Sequence, residues 1–382
     1  MYKTIEELVT RIDERNSDGT VSELIGVSID KCFIKSVANT NGTDLSKYKI
    51  IRKNDFAVSL MQVSRDGKIP VARLEEYEEA IMSPAYPIFR VKDKNVILPE
   101  YLEMWFKRPE FDREAAFIAV GGVRGSMPWE EFAKMKLPVP PIEKQRKIVN
   151  AYKIVTDRIA LKQKINDNLA NTEQLILYQA ISKNQTIPLS LNEMAEFIDG
   201  DRGKNYPTFD EFSTSGFCLF LNASNVTSSG FNFDSCMFVT EEKDKIMRNG
   251  HLLLNDIVFT SRGTLGNVAL YDKNIKYKNV RINSGMLIIR PKGINLSPYF
   301  IYALLKSNYM KSAIEQFRSG SAQPQLPIKD LQNITFDIPE SQNVLDDLEH
   351  RFFEIEETIS INKREIGNLS ELASILLARL SR

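Results

Sequence analysis

The sequence predicts an α+β chain in which two β-rich modules are separated by two long helices, paired antiparallel as a coiled coil with approximate two-fold symmetry. Three observations predict it. The chain repeats itself at about half its length, each copy ends in a helical run with a heptad seam, and those two runs carry opposite net charge.

The repeat is read from matched segments. Asn54-Asp55-Phe56 corresponds to Asn255-Asp256-Ile257, and Val71-Ala72 to Val268-Ala269. Leu98-Pro99-Glu100-Tyr101-Leu102 matches Leu296-Ser297-Pro298-Tyr299-Phe300, and Trp105-Phe106-Lys107 falls against Leu304-Leu305-Lys306. The segment GGVRGSMPWEEFAKMKLPVPP (121–141) lines up with RSGSAQPQLPIKDLQNITFDIP (318–339). The offsets lie between 197 and 201, far above a solenoid period, so this is a duplication.

Each copy has one inner order. Short β-type runs broken by Gly, Asn and Asp come first, such as 250–260 and 285–290. A short helix follows (100–106; 298–307), then a Gly/Ser loop, a proline-rich stop and a long helix. The expected segments are 1–141, 142–183, 184–340 and 341–382.

In the last segment, Leu345, Leu348, Phe352, Ile355, Ile359, Asn362, Ile366, Leu369, Ala373, Leu376 and Leu380 recur at alternating steps of three and four. The central run gives Ile148, Tyr152, Val155, Ile159, Lys162, Asn166, Leu169, Glu173, Ile176 and Ala180, a more polar seam read as shared with Leu161, Ile165 and Leu175. Residues 142–183 hold eight basic and four acidic residues, whereas 341–382 hold five basic and eight acidic. Antiparallel pairing with matched ends makes contacting residue numbers total about 524, so Lys162 faces Asn362 with Asn166 close by. Such a polar layer costs stability and fixes register. The alternative is that each seam packs on its own globular module.

Composition narrows the function classes. The chain has 382 residues, enough for two to three domains, and 43% hydrophobic residues, enough to bury a core. Fifty basic and fifty acidic residues exclude a uniformly basic nucleic-acid binder but leave room for local patches. Cys32, Cys218 and Cys236, with His251 and His350, are too few and too scattered for a disulfide scaffold or a zinc site. They read as ordinary partly buried thiols and, for His350, a solvent-facing position beside the seam. The charged N-terminus and the lack of a long apolar run lead to the expectation of a cytoplasmic protein without membrane contact.

The order of these parts carries a family resemblance. A proline stop followed by Glu143, Gln145, Ile148 and Val149 in PPIEKQRKIV, then a long helix, all after a β-rich module and all duplicated, resembles the specificity (S) subunit of type I restriction-modification enzymes. The second copy keeps Pro339, Glu340 and Gln342 but lacks the second proline and the Arg-Lys-Ile-Val. The resemblance implies that each β-rich module is a target recognition domain reading one half of a bipartite double-stranded DNA site. It implies that the helices act as a ruler and dock two methyltransferase (M) subunits, with motor-nuclease (R) subunits joining them. S-adenosylmethionine, ATP and Mg would belong to those partners and no cofactor to this chain, which serves prokaryotic defence and DNA methylation without catalysis of its own.

The charge distribution accommodates DNA. Residues 31–73 hold nine basic side chains against three acids, and 262–292 hold seven against Asp272 alone. In the second module the loop DGDRGKNYP (199–207) offers Arg202, Lys204, Asn205 and Tyr206, and TSRGTLG (260–266) offers Arg262 and Thr264. Lys278, Arg281 and Asn283 lie in and after the basic run. In the first module Arg65 and Lys68 occupy the place of Arg262, Arg124 sits among glycines, and its counterpart loop carries Gln323 and Gln325. Forked guanidinium donors and amides are the groups base edges require, although Gly-rich hairpins are more often plain solvated turns. Arg262, Arg202 and Arg65 are the leading candidates.

Catalytic readings are weaker. The P-loop pattern is absent, as is the Asp/Asn-Pro-Pro-Tyr/Phe tetrad of an adenine methyltransferase. Asp234, Glu241 and Lys243 fit the acid and Glu-x-Lys spacing of metal-dependent nucleases, but an exposed charge run explains EEKDK better. The competing functions are this nuclease and a non-catalytic protein scaffold.

Overall fold

The computed structural model describes residues 1–36, 43–61, 63–122, 125–293, 296–317 and 325–381. The chain forms two compact units, Met1–Ala160 with Gly367–Arg382, and Leu161–Ile366. Each unit holds one β-rich head and part of each long helix.

The two heads are built on one frame. In the first, the strands Val9–Ile12, Ile88–Val91, Phe56–Val58 and Val71–Arg73 lie in that order in one antiparallel sheet. In the second, Ala195–Asp199, Met286–Pro291, Ile257–Thr260 and Val268–Leu270 repeat it. The register also repeats, with Ala57 opposite Ile88 and Val258 opposite Ile288.

The matched Asn-Asp pairs are the turn that enters the inner strand. Asn54 and Asn255 take φ of 70° and 72°, the left-handed region that Asn tolerates better than most residues. The next residue is a brace. Asp55 accepts from Arg90 Nε at 2.5 Å and from the Arg52 backbone N–H at 3.0 Å. Asp256 accepts from Arg290 Nε at 2.8 Å and from the Leu253 N–H at 2.7 Å. Both carboxylates are buried, so these partners offset their desolvation.

Other local signals recur. Thr4 with Glu7, and Ser190 with Glu193, form capping boxes on the short helices Ile5–Leu8 and Leu191–Met194. The predicted short helix is present in both copies, as Pro99–Phe106 and Pro298–Lys306. Two further helices per copy flank the Gly/Ser loop, Pro109–Ile118 and Trp129–Lys134 against Asn308–Phe317 and Ile328–Asn333. Periodicity missed these because three of the four bury only two or fewer residues each. The stop prolines end strands that close each head, Tyr2–Thr4 on Lys136–Pro138 and Thr186–Ser190 on Thr335–Pro339.

The heads differ where the chain runs from the first frame strand to the Asn-Asp turn. The first inserts the pair Ile25–Val27 with Phe33–Lys35, and Lys49–Arg52 paired with Glu79–Met82. The second inserts a three-stranded sheet in which Cys218–Leu221 runs parallel to Val280–Ile282.

The long helices span Ile142–Lys183 and Gln342–Ala378. In the second unit Lys162 donates to Asn362 Oδ1 at 2.8 Å, Asn362 donates to Asn166 Oδ1 at 2.8 Å, and Lys162 pairs with Glu365 at 2.7 Å. Further along, Ile176, Leu177 and Ala180 share a core with Leu345, Leu348 and Phe352. Contacts that climb one helix while descending the other make the pair antiparallel, with the expected polar layer in place. The seams also pack on the heads: Leu177, Leu348 and Phe352 join the second head's core, and Ile148, Val149, Tyr152, Leu377 and Leu380 join the first head's. One expectation is corrected. Leu161, Ile165 and Leu175 are exposed, and Leu177, outside the heptad positions of the central run, is buried instead.

The Gln of the PPIEKQ motif is a clamp. Gln145 is fully buried; its Oε1 accepts from Leu98 N–H at 3.0 Å and its Nε2 donates to Val96 O and Pro140 O at 2.9 and 2.8 Å. Gln342, at the weaker copy, is exposed and donates to Asp346 on its own helix.

Candidate nucleic-acid interface

In the second unit four chain segments meet at one end of the frame sheet. Strand Ala195–Asp199 runs into a loop that Asp201 shapes: its carboxylate accepts from the backbone N–H of Arg248 at 2.8 Å and of Gly203 at 2.7 Å. Those backbone donors hold the Asp201 carboxyl below its ordinary value. Gly200 sits so tightly that a Cβ there would lie 2.2 Å from Asn283 O. Arg202 spans the gap, donating through Nη2 to Asp199 Oδ1 and to Ser284 O, both at 3.1 Å.

The turn after Asn283 meets the loop after strand Ile257–Thr260. Asn283 Oδ1 accepts from Gly285 N–H at 2.9 Å, and Ser261 donates from its backbone and its hydroxyl to Gly285 O. Gly263 and Gly266 take φ of +75° and +86°, which lets the 260–267 loop close on itself. Arg262 lies opposite Gln325 in an isolated antiparallel bridge, and Leu326 N–H donates to Ser261 O. Thr264 Oγ1 donates to Ala223 O at 3.4 Å. Arg202, Asn283, Arg262, Thr264 and Gln325 are thereby brought together, and no carboxylate pairs with Arg262 among the described residues.

The remaining residues singled out in this unit lie apart. Lys204 is exposed in the same loop, and Asn205 Nδ2 donates to Ile246 O at 2.9 Å. Tyr206 is half-buried, its ring edge-on to Phe220 at 5.6 Å. Lys278 lines a cavity of about 720 Å³ with Thr214, Ser215 and Cys236. Arg281 is buried: it pairs with Asp244 and donates to Asp244 O and Asn249 O at 2.9 and 2.8 Å, so its fork is used inside the protein.

In the first unit Arg65 and Lys68 are exposed on and after the short helix Val63–Asp66, with Arg65 Nε on Asp66 at 2.9 Å. The Gly/Ser loop backs the same turn: a Cβ on Gly125 would lie 2.6 Å from Ser64 Oγ, and Met127 N–H donates to Leu60 O. This matches the approach of Leu326 to Ser261. Arg124 and Gln323 lie outside the described residues.

The structure adds residues that sequence reasoning passed over. Lys49 pairs with Asp13 at 3.3 Å and donates to Tyr86 O, bridging the end of strand Val9–Ile12 and the turn before Ile88–Val91, as Arg202 does between Ala195–Asp199 and Met286–Pro291 in the second unit. Arg15 pairs with Asp13 at 2.9 Å and donates to Lys47 O. The available signal was the repeated capping box, Thr4 with Glu7 against Ser190 with Glu193, whose offset of 186 lies below that of the other matched segments.

The charge runs are corrected. Within 31–73, Lys31 is buried against Asp112, Arg73 against Glu103, and Arg52 and Lys53 pair with Glu14 and Glu78. Within 262–292, Arg281, Arg290 and Lys273 pair with Asp244, Asp256 and Glu357. Acids distant in sequence take up much of the first run and three of the seven basic residues of the second, so a local count of charge is not a surface patch. The acid cluster is likewise divided: Lys243 pairs with Glu211, Glu241 with Lys245, and Asp234 bonds Asn232. His350 is exposed beside Glu354. Cys218 is buried and Cys236 partly so, but Cys32 is exposed, against expectation. Among the described residues no helix is long and apolar enough to cross a membrane.

Comparison with known proteins bears on this site. The family described as "Type I restriction modification DNA specificity domain" matches residues 24–171 and 188–366, one match per copy of the repeat. The type I restriction enzyme MjaIX specificity subunit of Methanocaldococcus jannaschii is 21% identical over 304 residues, which is 75% of this chain and 69% of that protein. The crystal structure of the type I restriction-modification S subunit from M. genitalium superposes with a TM-score of 0.61 at 16% identity, over 100% of this chain and 96% of that one. That likeness is one of fold.

Proposed function

This chain belongs to the type I restriction-modification DNA specificity family and is a non-catalytic specificity subunit, and from that premise we propose that it reads a bipartite DNA site with one half on each head. In this reading 1–141 and 184–340 are target recognition domains, and 142–183 and 341–382 are spacer helices that set the distance between half-sites. The supporting observation is the convergence of Arg202, Asn283, Arg262, Thr264 and Gln325 from four segments of the second head, with Arg65 and Lys68 on the equivalent loop of the first. Guanidinium forks and amides match the donor and acceptor pattern of base edges in the major groove. Lys204, Asn205, Tyr206 and Lys278 fall to phosphate contact or loop support, and Arg281 to bracing.

In this reading each copy of the repeat presents a similar surface on the long helices, and one methyltransferase subunit docks on each. Exposed Leu161, Ile165, Leu175 and Tyr178 on the central helix supply apolar docking area. Those partners would carry S-adenosylmethionine and methylate adenine, and motor-nuclease subunits would bring ATP and Mg, all in the cytoplasm.

The test is binding of the chain, with its methyltransferase partner, to duplexes in which each half-site is scrambled in turn. Salt-sensitive binding that needs both halves supports the reading. Binding indifferent to sequence removes it.

A further inference from the structure

The second unit buries charge where its head meets the long helices. Glu173 of the central helix is 0% exposed, and its Oε2 lies 2.8 Å from Lys306 Nζ on the head helix Pro298–Lys306. The same ammonium lies 2.5 Å from Glu356 Oε1 on the second long helix. Lys306 also stands over the Tyr302 ring, 4.6 Å from its centroid. Lys363, further along the second long helix, donates to Ser229 O. Three elements therefore meet at one cation.

This arrangement is directional in a way that apolar packing is not. Sliding one helix by a turn, about 5.4 Å, would part the Lys306 ammonium from Glu356 or from the buried Glu173 carboxyl. Glu173 Oε1 already lacks a hydrogen-bond partner among the described residues, so the site has no spare donor with which to absorb a shift. The first unit handles the equivalent lysine differently. Lys107 pairs with Glu103 of its own helix at 2.6 Å, and the long helices meet that head through Ile148, Val149, Tyr152, Leu377 and Leu380.

We propose that Glu173, Lys306 and Glu356 are positioning residues that lock the register and angle of the second head on the helix pair, and thereby set which spacer length between half-sites is accepted. The proposal rests on the bipartite reading above.

The experiment uses the full complex with its methyltransferase partner and duplexes that keep both half-sites while the spacer changes one base pair at a time. The combined replacement Glu173→Leu, Lys306→Met and Glu356→Leu is expected to keep or raise the melting temperature and to leave the base preference of each half-site intact. It is expected to lower discrimination between neighbouring spacers by about tenfold. If that variant does not fold, Lys306→Gln carries the same readout, and Lys306→Arg is expected to restore the wild-type preference. Folded variants that retain wild-type spacer selectivity overturn the lock alone. A wild-type complex that accepts all spacers equally overturns the bipartite reading, and the lock with it.

Discussion

The first head meets the long helices through apolar side chains such as Tyr152, Leu377 and Leu380, whereas the second adds to its apolar contacts with Leu177, Leu348 and Phe352 the buried charges of Glu173, Lys306 and Glu356. Their sheets, by contrast, agree down to the register, the left-handed Asn and the Asp brace. The duplicated frame has been held while the docking surfaces and the inserted strands diverged. The frame is what either head needs to fold; the insertions and docking surfaces are where one head can differ from the other.

The sharpest way to break the comparison is to remove the shared brace. Asp55→Ala should destabilise the first unit and Asp256→Ala the second, each by about 2–4 kcal/mol, because each leaves an arginine and a backbone N–H without the buried acceptor. Amide exchange read separately on the two units checks this, and loss of protection spread evenly over both would contradict independent frames. Next in size is Arg262→Ala, expected to weaken recognition of one half-site by about 1–3 kcal/mol with the other untouched. Equal loss on every sequence would make Arg262 a phosphate contact instead.

The two helix starts offer a smaller contrast. Gln145→Ala should cost about 1–2 kcal/mol, since three partly buried backbone groups lose their partner, while Gln342→Ala should stay within about 0.5 kcal/mol. Equal effects in denaturant melts would show that the clamp is not the distinction.

The smallest effect concerns pH. Burial, opposed by Lys306 and reinforced by the facing Glu356, pushes the Glu173 carboxyl up to about 8 from 4.5. The folded state thus holds a proton that the unfolded chain has released, so this residue's contribution to stability falls as pH rises from about 4.5 to about 8. The Lys306 ammonium is raised and stays charged throughout that window. Glu173→Gln should therefore show a flatter decline in melting temperature across it than the wild type. A parallel decline would place the proton elsewhere.

Much of this was legible in the sequence. The duplication, the long helices and the layer of Lys162, Asn362 and Asn166 follow from offsets and heptad steps, because coiled-coil geometry ties residue number to position. The charge runs misled because ion pairs form across the fold: nothing near Arg281 in sequence announces Asp244. Glu173 read only as a flaw in a seam, since its partners lie on two other elements. Glycine and arginine spacing pointed to the two loops of the second head that the structure brings together, at Arg202 and Arg262. In the first head the equivalent bridge uses Lys49, which stands in the strand Lys49–Arg52 rather than in the loop that carries Arg202.

In the proposed reading two readers are held at a fixed separation. The most direct test of this inserts four residues after Leu169 together with a matching insertion on the facing turn of the second long helix, then maps the adenines methylated in cells carrying the complex. Extension of the pair by about 6 Å predicts the same two half-sites at a longer spacer. Methylation at the original spacer would contradict the account.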